Sequence, residues 1–377
     1  MISIYNTSDL LLRNRKSGLL LVFPHKLGWS RACVCAGLGD TQDMRLYLIL
    51  LLGVLSAGLL AAMPTPSESW QFSIRAENDL TAGTDNYYTN GGDLAFTSPA
   101  FEPVGLSANL VAWGPFSSAP QAEHRATFRL AQDIITPIDY TRAEIDPDDR
   151  PFAAWLRFGA QLRAIEAHRM DVVEVSLGMT GEPALGEFAQ KVVHLFLGSP
   201  DPVGWDTQVP TEPTLQLTWV RYGRFREDLD GGFAFDVIPG VGGAVGNAHT
   251  YATASTDVRF GFRLPQDFGQ SRILPAARYN DTFALDEALA AKRGAWGMHA
   301  QIGFDVRAVA HDVTLDGAVF RDSPSVEKEP FVANFTTGLA MHWDRWNLSF
   351  RQVFRSPEFD NQATWHIFGS IALDVLL

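Results

Sequence analysis

An acidic residue beside an amide, followed closely by a hydroxyl-rich run, is the part of the sequence best suited to chemistry. The segment Glu77-Asn78-Asp79 ends one candidate strand, and Tyr87-Tyr88-Thr89-Asn90-Gly91 begins the next. A carboxylate and an amide with a hydroxyl brought opposite can bind a hard cation and direct it at an ester carbonyl. The same residue types are common in hairpin turns, so the segment alone leaves both interpretations open.

A second candidate is His194, which lies in a segment that breaks the pattern of its surroundings. In residues 182–198 the apolar residues fall at helical spacing, which predicts a short amphipathic helix whose apolar stripe packs on its support. The stripe consists of Leu185, Phe188, Ala189, Val192, Val193 and Phe196. An imidazole near the end of a rim helix, over the mouth of the fold, can act as a general base on water. A lone histidine is more often a surface or structural residue, so this assignment needs support from other features.

Apolar and polar residues alternate with period two along most of the chain after residue 67, which predicts β-strands. Both a soluble sandwich and a membrane barrel show this pattern. The barrel is favoured because the strands are long and have aromatic residues such as Trp343 and Trp346 near their ends, and because a candidate signal precedes them and an alternating strand ends the chain. We predict an all-β fold, an antiparallel transmembrane β-barrel of about 12 strands with short rim helices. The candidate strands lie near residues 70–79, 90–98, 123–134, 151–165, 169–180, 212–225, 231–243, 252–263, 295–309, 330–342, 345–356 and 364–376.

The region before the barrel has the pattern of a secretory signal peptide. Residues 44–62 contain a short basic start, an apolar core and small residues at the end. The apolar run is shorter than the roughly 20 residues that a spanning helix needs. Because a signal should begin a protein, we interpret residues 1–43 as a non-native upstream extension and residues 68–377 as one barrel domain. Both cysteines, Cys33 and Cys35, fall in the extension.

Charge and absent motifs argue against several functional classes. The formal net charge is -13, which makes a nucleic acid an unsuitable partner. The sequence contains no Gly-x-Ser-x-Gly nucleophile elbow and no His-Glu-x-x-His zinc motif. Serine-nucleophile and zinc-protease chemistry are therefore not indicated.

Several short motifs occur together in an order typical of one family. They are Glu77-Asn78-Asp79, Thr84-Asp85-x-Tyr87-Tyr88-Thr89-Asn90-Gly91, Gln132-Asp133-Ile134-x-Thr136-Pro137, Asp149-Arg150-Pro151-Phe152-Ala153-x-Trp155-Leu156, Gly204-Trp205-Asp206-x-Gln208 and Gly246-Asn247-x-x-Thr250. With these motifs the chain resembles the LpxR-type lipid A 3'-O-deacylases over roughly residues 70–377.

The resemblance implies a twelve-stranded barrel of the bacterial outer membrane, which we expect to be a monomer. Its implied activity is hydrolysis of a 3'-O-linked acyl ester of lipid A, in lipopolysaccharide, at a groove on the outer rim. The reaction would use a His base, a water and Ca2+ as cofactor. Asn78 and Asp79 match the Asn-Asp pair of the family, Thr89 matches its hydroxyl and His194 its essential His, with Asp79 as the metal ligand.

The chain departs from the family pattern at two positions. A basic residue in the loop after the Gln-Asp motif has no clean match, and Arg142 is the nearest candidate. A Glu shortly after the His is replaced by Ser199-Pro200-Asp201, so that role is absent or belongs to Asp201. These departures keep an alternative open, a non-catalytic barrel that serves as a porin or as a lipid-binding scaffold.

Overall fold

The structure is a computed structural model that describes residues 69–83, 86–103, 122–142, 146–270, 272–273, 278 and 296–377. The predicted upstream extension, the signal peptide and the two cysteines lie outside the described residues. These assignments therefore stay predictions.

Strands dominate the described part of the chain. They are β1 (Gln71–Asn78), β2 (Tyr87–Thr97), β3 (Glu123–Thr136), β4 (Ala153–Ile165), β5 (Arg169–Thr180), β6 (Pro213–Gly223), β7 (Phe225–Asp228), β8 (Phe233–Gly246), β9 (His249–Phe262), β10 (Trp296–Asp312), β11 (Phe331–Trp343), β12 (Trp346–Arg355) and β13 (His366–Leu376). One α-helix, α1 (Gly186–Leu197), lies between β5 and β6. Within the described ranges no helix is long and apolar enough to cross a membrane.

The strands close into a ring of antiparallel pairs. Strands that follow one another in sequence pair with each other, except that β6 pairs with β8 and not with β7; β1 pairs with β13. The short β7 follows β6 after Arg224 and also pairs with β8, so β6 and β7 form two parts of one barrel strand. The ring is therefore a closed 12-strand antiparallel barrel, as predicted. Every predicted strand agrees with the observed bounds within three residues.

Alternating residues face opposite sides of the barrel wall. In β1, Ser73, Arg75 and Glu77 are buried in the lumen, whereas Ile74 lies on the outer surface. Large apolar side chains cover that outer surface; examples are Leu94, Phe96, Phe128, Leu130, Phe158, Leu177, Leu217, Phe260, Ile302, Phe304, Leu348 and Ile371. An apolar exterior around a charged interior is the arrangement of an outer-membrane barrel, because lipid surrounds the wall.

A segment after β9 runs through the lumen. Gln270 donates a hydrogen bond to Asp374 of β13 (3.2 Å), and the backbone N–H of Ile273 donates to Glu77 of β1 (2.8 Å). Arg272 pairs with Asp305 of β10 at 3.0 Å. Since these partners belong to three separate strands, the described part of this connection spans the interior and occupies its space.

Candidate functional site

Helix α1 lies against the outer face of the barrel. Its N-terminal end and the following loop bury outward-facing residues of β3 and β4, including Ile134 and Ala154, beneath Trp205. Gln132 of β3 donates a hydrogen bond to the carbonyl of Ala184 at 2.5 Å, which fixes the start of the helix. At Gly186 an added Cβ would come within 2.5 Å of the Ala154 side chain and the Trp205 ring, so the close approach requires glycine. The helix therefore covers the outer wall of the barrel. The sequence analysis had placed His194 over the mouth of the barrel instead.

The orientation of α1 differs from the sequence prediction. Leu185, Phe188 and Phe196 of the predicted stripe are 53%, 67% and 63% exposed. The buried side of the helix carries Gln190 and His194 instead. The prediction was wrong for these three residues, whereas Ala189, Val192 and Val193 of the stripe are partly buried, as predicted. On the outer wall of a membrane barrel the surrounding solvent is lipid, so apolar side chains can point away from the protein.

The connection between β1 and β2 forms the opposite side of the site. Asn78 caps a short 3₁₀ helix, since its side-chain oxygen accepts from the N–H of Leu80 (2.7 Å) and its amide donates to the carbonyl of Thr89 (2.9 Å). The Asp79 carboxylate is completely buried and accepts from the backbone N–H of Asn86 at 2.7 Å. The ladder between β2 and β3 shifts register around Thr89. Such a bulge re-aims a side chain, and the Thr89 hydroxyl lies 2.6 Å from the hydroxyl of Thr136.

His194 is held in one ring orientation. It is 2% exposed, and its Nδ1 lies 2.5 Å from the carbonyl oxygen of Pro200. A carbonyl can only accept, so Nδ1 carries a proton and Nε2 is the basic nitrogen of the neutral ring. The ring of Tyr140 packs against it edge to face at 5.3 Å. Helix α1 ends directly afterwards at Gly198, whose φ of 72° and N–H bond to the His194 carbonyl form a left-handed cap.

These elements enclose one narrow cavity between the barrel wall and α1. It is lined by Asn78, Asp79, Leu80, Thr89, Asn90, Gln190, Val193 and His194. Its volume is ≈ 10 Å³, about the room that one water molecule needs. The structure thus brings all four predicted site residues, Asn78, Asp79, Thr89 and His194, to the same cavity.

Gln190 is a site residue that the sequence prediction missed. Its Oε1 accepts a hydrogen bond from the indole N–H of Trp205 at 2.8 Å, while its buried Nε2 has no hydrogen-bond partner among the described residues. An amide held at one end and unsatisfied at the other is oriented to donate to a bound group. The signal was available, because Gln190 precedes His194 by four residues and therefore shares its helix face.

The two uncertain family positions do not contribute to the cavity. Arg142 lies in the loop after β3, where its exposed side chain pairs with Asp139 at 2.9 Å. Asp201 is exposed in the loop after α1. Neither residue lines the cavity. Within the described chain, the imidazole of His194 is the basic group that lines it.

The chemistry of the lining suits a hard cation in part. Asp79 supplies a buried carboxylate, and amide, hydroxyl and backbone oxygens surround it. Ca2+ prefers six to eight such oxygen ligands. No group of three or more His, Cys, Asp or Glu residues is placed to hold a metal among the described residues. A cation here would therefore need carbonyl, water and substrate oxygens beside Asp79.

Comparisons with known proteins agree with this architecture. A family model described as outer membrane protein LpxR matches residues 46–377. The chain is similar to the solved structure of LpxR from Salmonella typhimurium, with 17% identity and a TM-score of 0.65, over 81% of this chain and 99% of that chain. Similarity to the beta domain of the Bordetella autotransporter BrkA is lower, with 10% identity and a TM-score of 0.39 over 81% of this chain and 97% of that chain. No curated protein matches the chain.

The Salmonella structure shows the fold that the two chains share, and the family model spans most of the sequence. The closed barrel with an apolar exterior fits the membrane in which the family is found. The chain belongs to the LpxR family of bacterial outer-membrane proteins.

Proposed function

We propose that this barrel hydrolyses the 3'-O-linked acyl ester of lipid A in the outer leaflet, with His194 as general base and Ca2+ as cofactor. The observation that carries the proposal is the shared cavity of His194 and Asp79 on the outer, lipid-facing wall. A catalytic base must reach its proton directly or through one water. A cavity with room for about one water meets that condition.

The site residues would divide the reaction between them. His194 Nε2 takes a proton from water, the water oxygen bonds to the ester carbonyl carbon, and the imidazolium returns the proton to the leaving alkoxide as its C–O bond breaks. The Pro200 carbonyl keeps Nδ1 protonated throughout. Gln190 Nε2 donates to the carbonyl oxygen as negative charge develops there. Asp79 would hold the calcium ion, which supplies Lewis-acid polarisation of the same oxygen.

The lipid-facing side of α1 suits an acylated substrate. Phe188 and Phe196 of α1 are exposed on the outer side, and Leu80 and Val193 are apolar residues in the lining of the cavity. An acyl chain could therefore stay among apolar side chains while its ester enters the site. This arrangement favours a membrane lipid over a soluble ester.

The test is the mass of lipid A from outer membranes that carry the wild-type barrel or His194→Gln. We expect wild type to remove one acyl chain and His194→Gln to slow this by roughly 10²–10⁴-fold, as is typical when a general base is lost. The control is His168→Gln, because His168 is exposed in the turn between β4 and β5. A calcium chelator should also abolish the wild-type reaction.

Two results would contradict the proposal. Unchanged lipid A with folded wild type in excess calcium would favour the non-catalytic barrel. Equal turnover by wild type and His194→Gln would place the base elsewhere.

A further inference from the structure

A buried arginine inside the barrel lacks a counter-charge of its own. Arg307 projects inward from β10 and is 9% exposed. Its Nε has no hydrogen-bond partner, and within the described ranges no salt bridge joins its guanidinium to a carboxylate. The guanidinium lies over the ring of Tyr251, 5.8 Å from the centroid. Burial of a cation without a partner is unfavourable, so this position calls for an anion.

Asp305 and Glu358, two carboxylates near Arg307, already form ion pairs with other arginines. Asp305 accepts from Arg272 at 3.0 Å and from Asn334 at 2.9 Å. Glu358 lies between two other arginines, Arg150 at 3.0 Å and Arg355 at 3.2 Å. Burial alone raises the pKa of Glu358, but Arg355 and Arg150 outweigh it and hold that pKa at about 2. Both carboxylates therefore already pair with other arginines.

The local charge balance is positive. The two cavities that Arg307 lines contain more arginines than carboxylates in their described linings. The arginines are Arg150, Arg272, Arg278, Arg307, Arg351 and Arg355, and the carboxylates are Asp133, Asp257, Asp305, Asp312 and Glu358, which gives a net charge of +1. One bound monoanion would neutralise this part of the lumen.

The space beside Arg307 is large enough for a small ion. Two interior cavities share Arg307 and Tyr251 in their linings, and each has a volume of ≈ 60 Å³. Since one water needs about 10–15 Å³ by this measure, each cavity holds several waters or one small oxyanion. A sugar phosphate of lipid A is too large for either.

We propose that Arg307 and the adjoining cavities form a binding site for a small inorganic oxyanion of the phosphate type inside the barrel. The guanidinium presents parallel N–H groups that match two oxygens of such an ion. The Tyr251 ring covers one face of the guanidinium, and Arg307 also lines both cavities. The ion stabilises the lumen and takes no part in the reaction on the outer wall.

The experiment uses the full barrel, refolded in detergent, with phosphate as the probe. Equilibrium dialysis against labelled phosphate should give one bound ion per wild-type barrel and none for Arg307→Met, which keeps the length of the side chain without its charge. Thermal unfolding in phosphate, compared with chloride of equal ionic strength, should raise the wild-type Tm by roughly 2 °C for each tenfold increase above the dissociation constant. Arg307→Met should lose this rise.

The control variant is Arg142→Met, since Arg142 is an exposed loop arginine that pairs with Asp139. It should bind phosphate as wild type does. Arg307→Lys should bind more weakly, because an ammonium lacks the two parallel donors. The proposal is overturned if Arg307→Met binds as much phosphate as wild type, if wild type binds none, or if chloride protects wild type equally.

Discussion

The two sides of the barrel wall use charge in opposite ways. In the lumen, carboxylates are held by arginines, as in Arg129–Asp93 (3.0 Å), Arg259–Asp236 (2.6 Å) and Arg351–Asp257 (3.0 Å). The outer cavity contains one carboxylate, Asp79, beside an imidazole and neutral polar groups. The ion pairs of the lumen support the fold. In the outer cavity, the Asp79 carboxylate accepts from the N–H of Asn86 and is the group proposed to bind a cation.

The surroundings explain this difference. The lumen excludes lipid, so polar residues from many strands can satisfy one another across it. The outer wall faces lipid, where an unsatisfied polar group is costly. The polar groups of the proposed site lie under the cover of α1, so the site is confined to the strip that the helix protects.

Loss of the Asp79 charge should have the largest effect on activity. Asp79→Asn keeps the size of the side chain but removes the proposed calcium ligand, and a metal contributes several kcal/mol of transition-state stabilisation. We expect lipid A deacylation to fall by at least about 10³-fold, since each 1.4 kcal/mol is tenfold in rate. The unfolding midpoint of the barrel should change little.

The matched control for this prediction is Asp206→Asn, because Asp206 is exposed in the loop after α1. It should deacylate lipid A as wild type does. If Asp79→Asn lowers the unfolding midpoint but deacylates lipid A as wild type does, Asp79 supports the fold and not the reaction.

The complementary change in the lumen should affect stability instead. Asp257 pairs with both Arg278 and Arg351. Asp257→Asn leaves two buried guanidinium groups without their carboxylate, and removal of one partner from a buried pair costs about 3–5 kcal/mol. Denaturant unfolding followed by tryptophan fluorescence should show this loss, while deacylation by the folded fraction stays near wild type.

The control here is Asp228→Asn, which breaks the pair of Arg226 with a solvent-exposed carboxylate. An exposed pair contributes about 0–1 kcal/mol, so its unfolding curve should nearly overlay that of wild type. Comparable losses in both variants would mean that burial in the lumen adds nothing to these pairs.

The sequence predicted the barrel well because lipid and lumen impose opposite polarity on alternating residues. The rule applies along the strands, so apolar residues such as Ile371 and Leu373 of β13 and Phe350 of β12 can be assigned to the outer face from the sequence. It cannot describe the connection after β9, whose described residues lie inside the barrel and contact distant strands. The ion pair of Arg272 with Asp305 has no local sequence signal.

The site was predicted in part. Asn78, Asp79, Thr89 and His194 came from a family resemblance, and the cavity contains all four. The direction of α1 could not be read from polarity, because both its faces carry apolar residues and one faces lipid. Gln190 was missed although its spacing to His194 was visible, since its role depends on the contact with Trp205.

A smaller effect is expected at Gln190, the amide that donates into the outer cavity. Gln190→Met keeps the length of the side chain and removes the donor that faces the proposed oxyanion. Loss of one oxyanion donor can cost 10²–10³-fold, but a calcium ion at the same oxygen would reduce the dependence to about tenfold. The decrease should appear in kcat with KM nearly unchanged, because the interaction strengthens in the transition state. A change in KM alone would assign Gln190 to substrate binding.

The smallest effect should arise at Tyr88, where the two sides of the wall meet. Its hydroxyl lies in the lumen, 3.0 Å from Glu77 and 3.2 Å from Asp133, directly behind Asn78 and Thr89 on the same strands. Tyr88→Phe removes this brace, a net loss of about 1 kcal/mol for one hydrogen bond, and should lower deacylation only a few-fold. Because looser strands hold Asp79 less precisely, the calcium concentration needed for half-maximal activity should rise.

Thr97→Val is the control, since it removes a buried hydroxyl contact with Thr127 at the other end of β2. A similar loss of stability in both variants, with the calcium requirement raised only in Tyr88→Phe, would show that the lumen positions the outer site; an unchanged requirement in both would show that the two sides of the wall act independently.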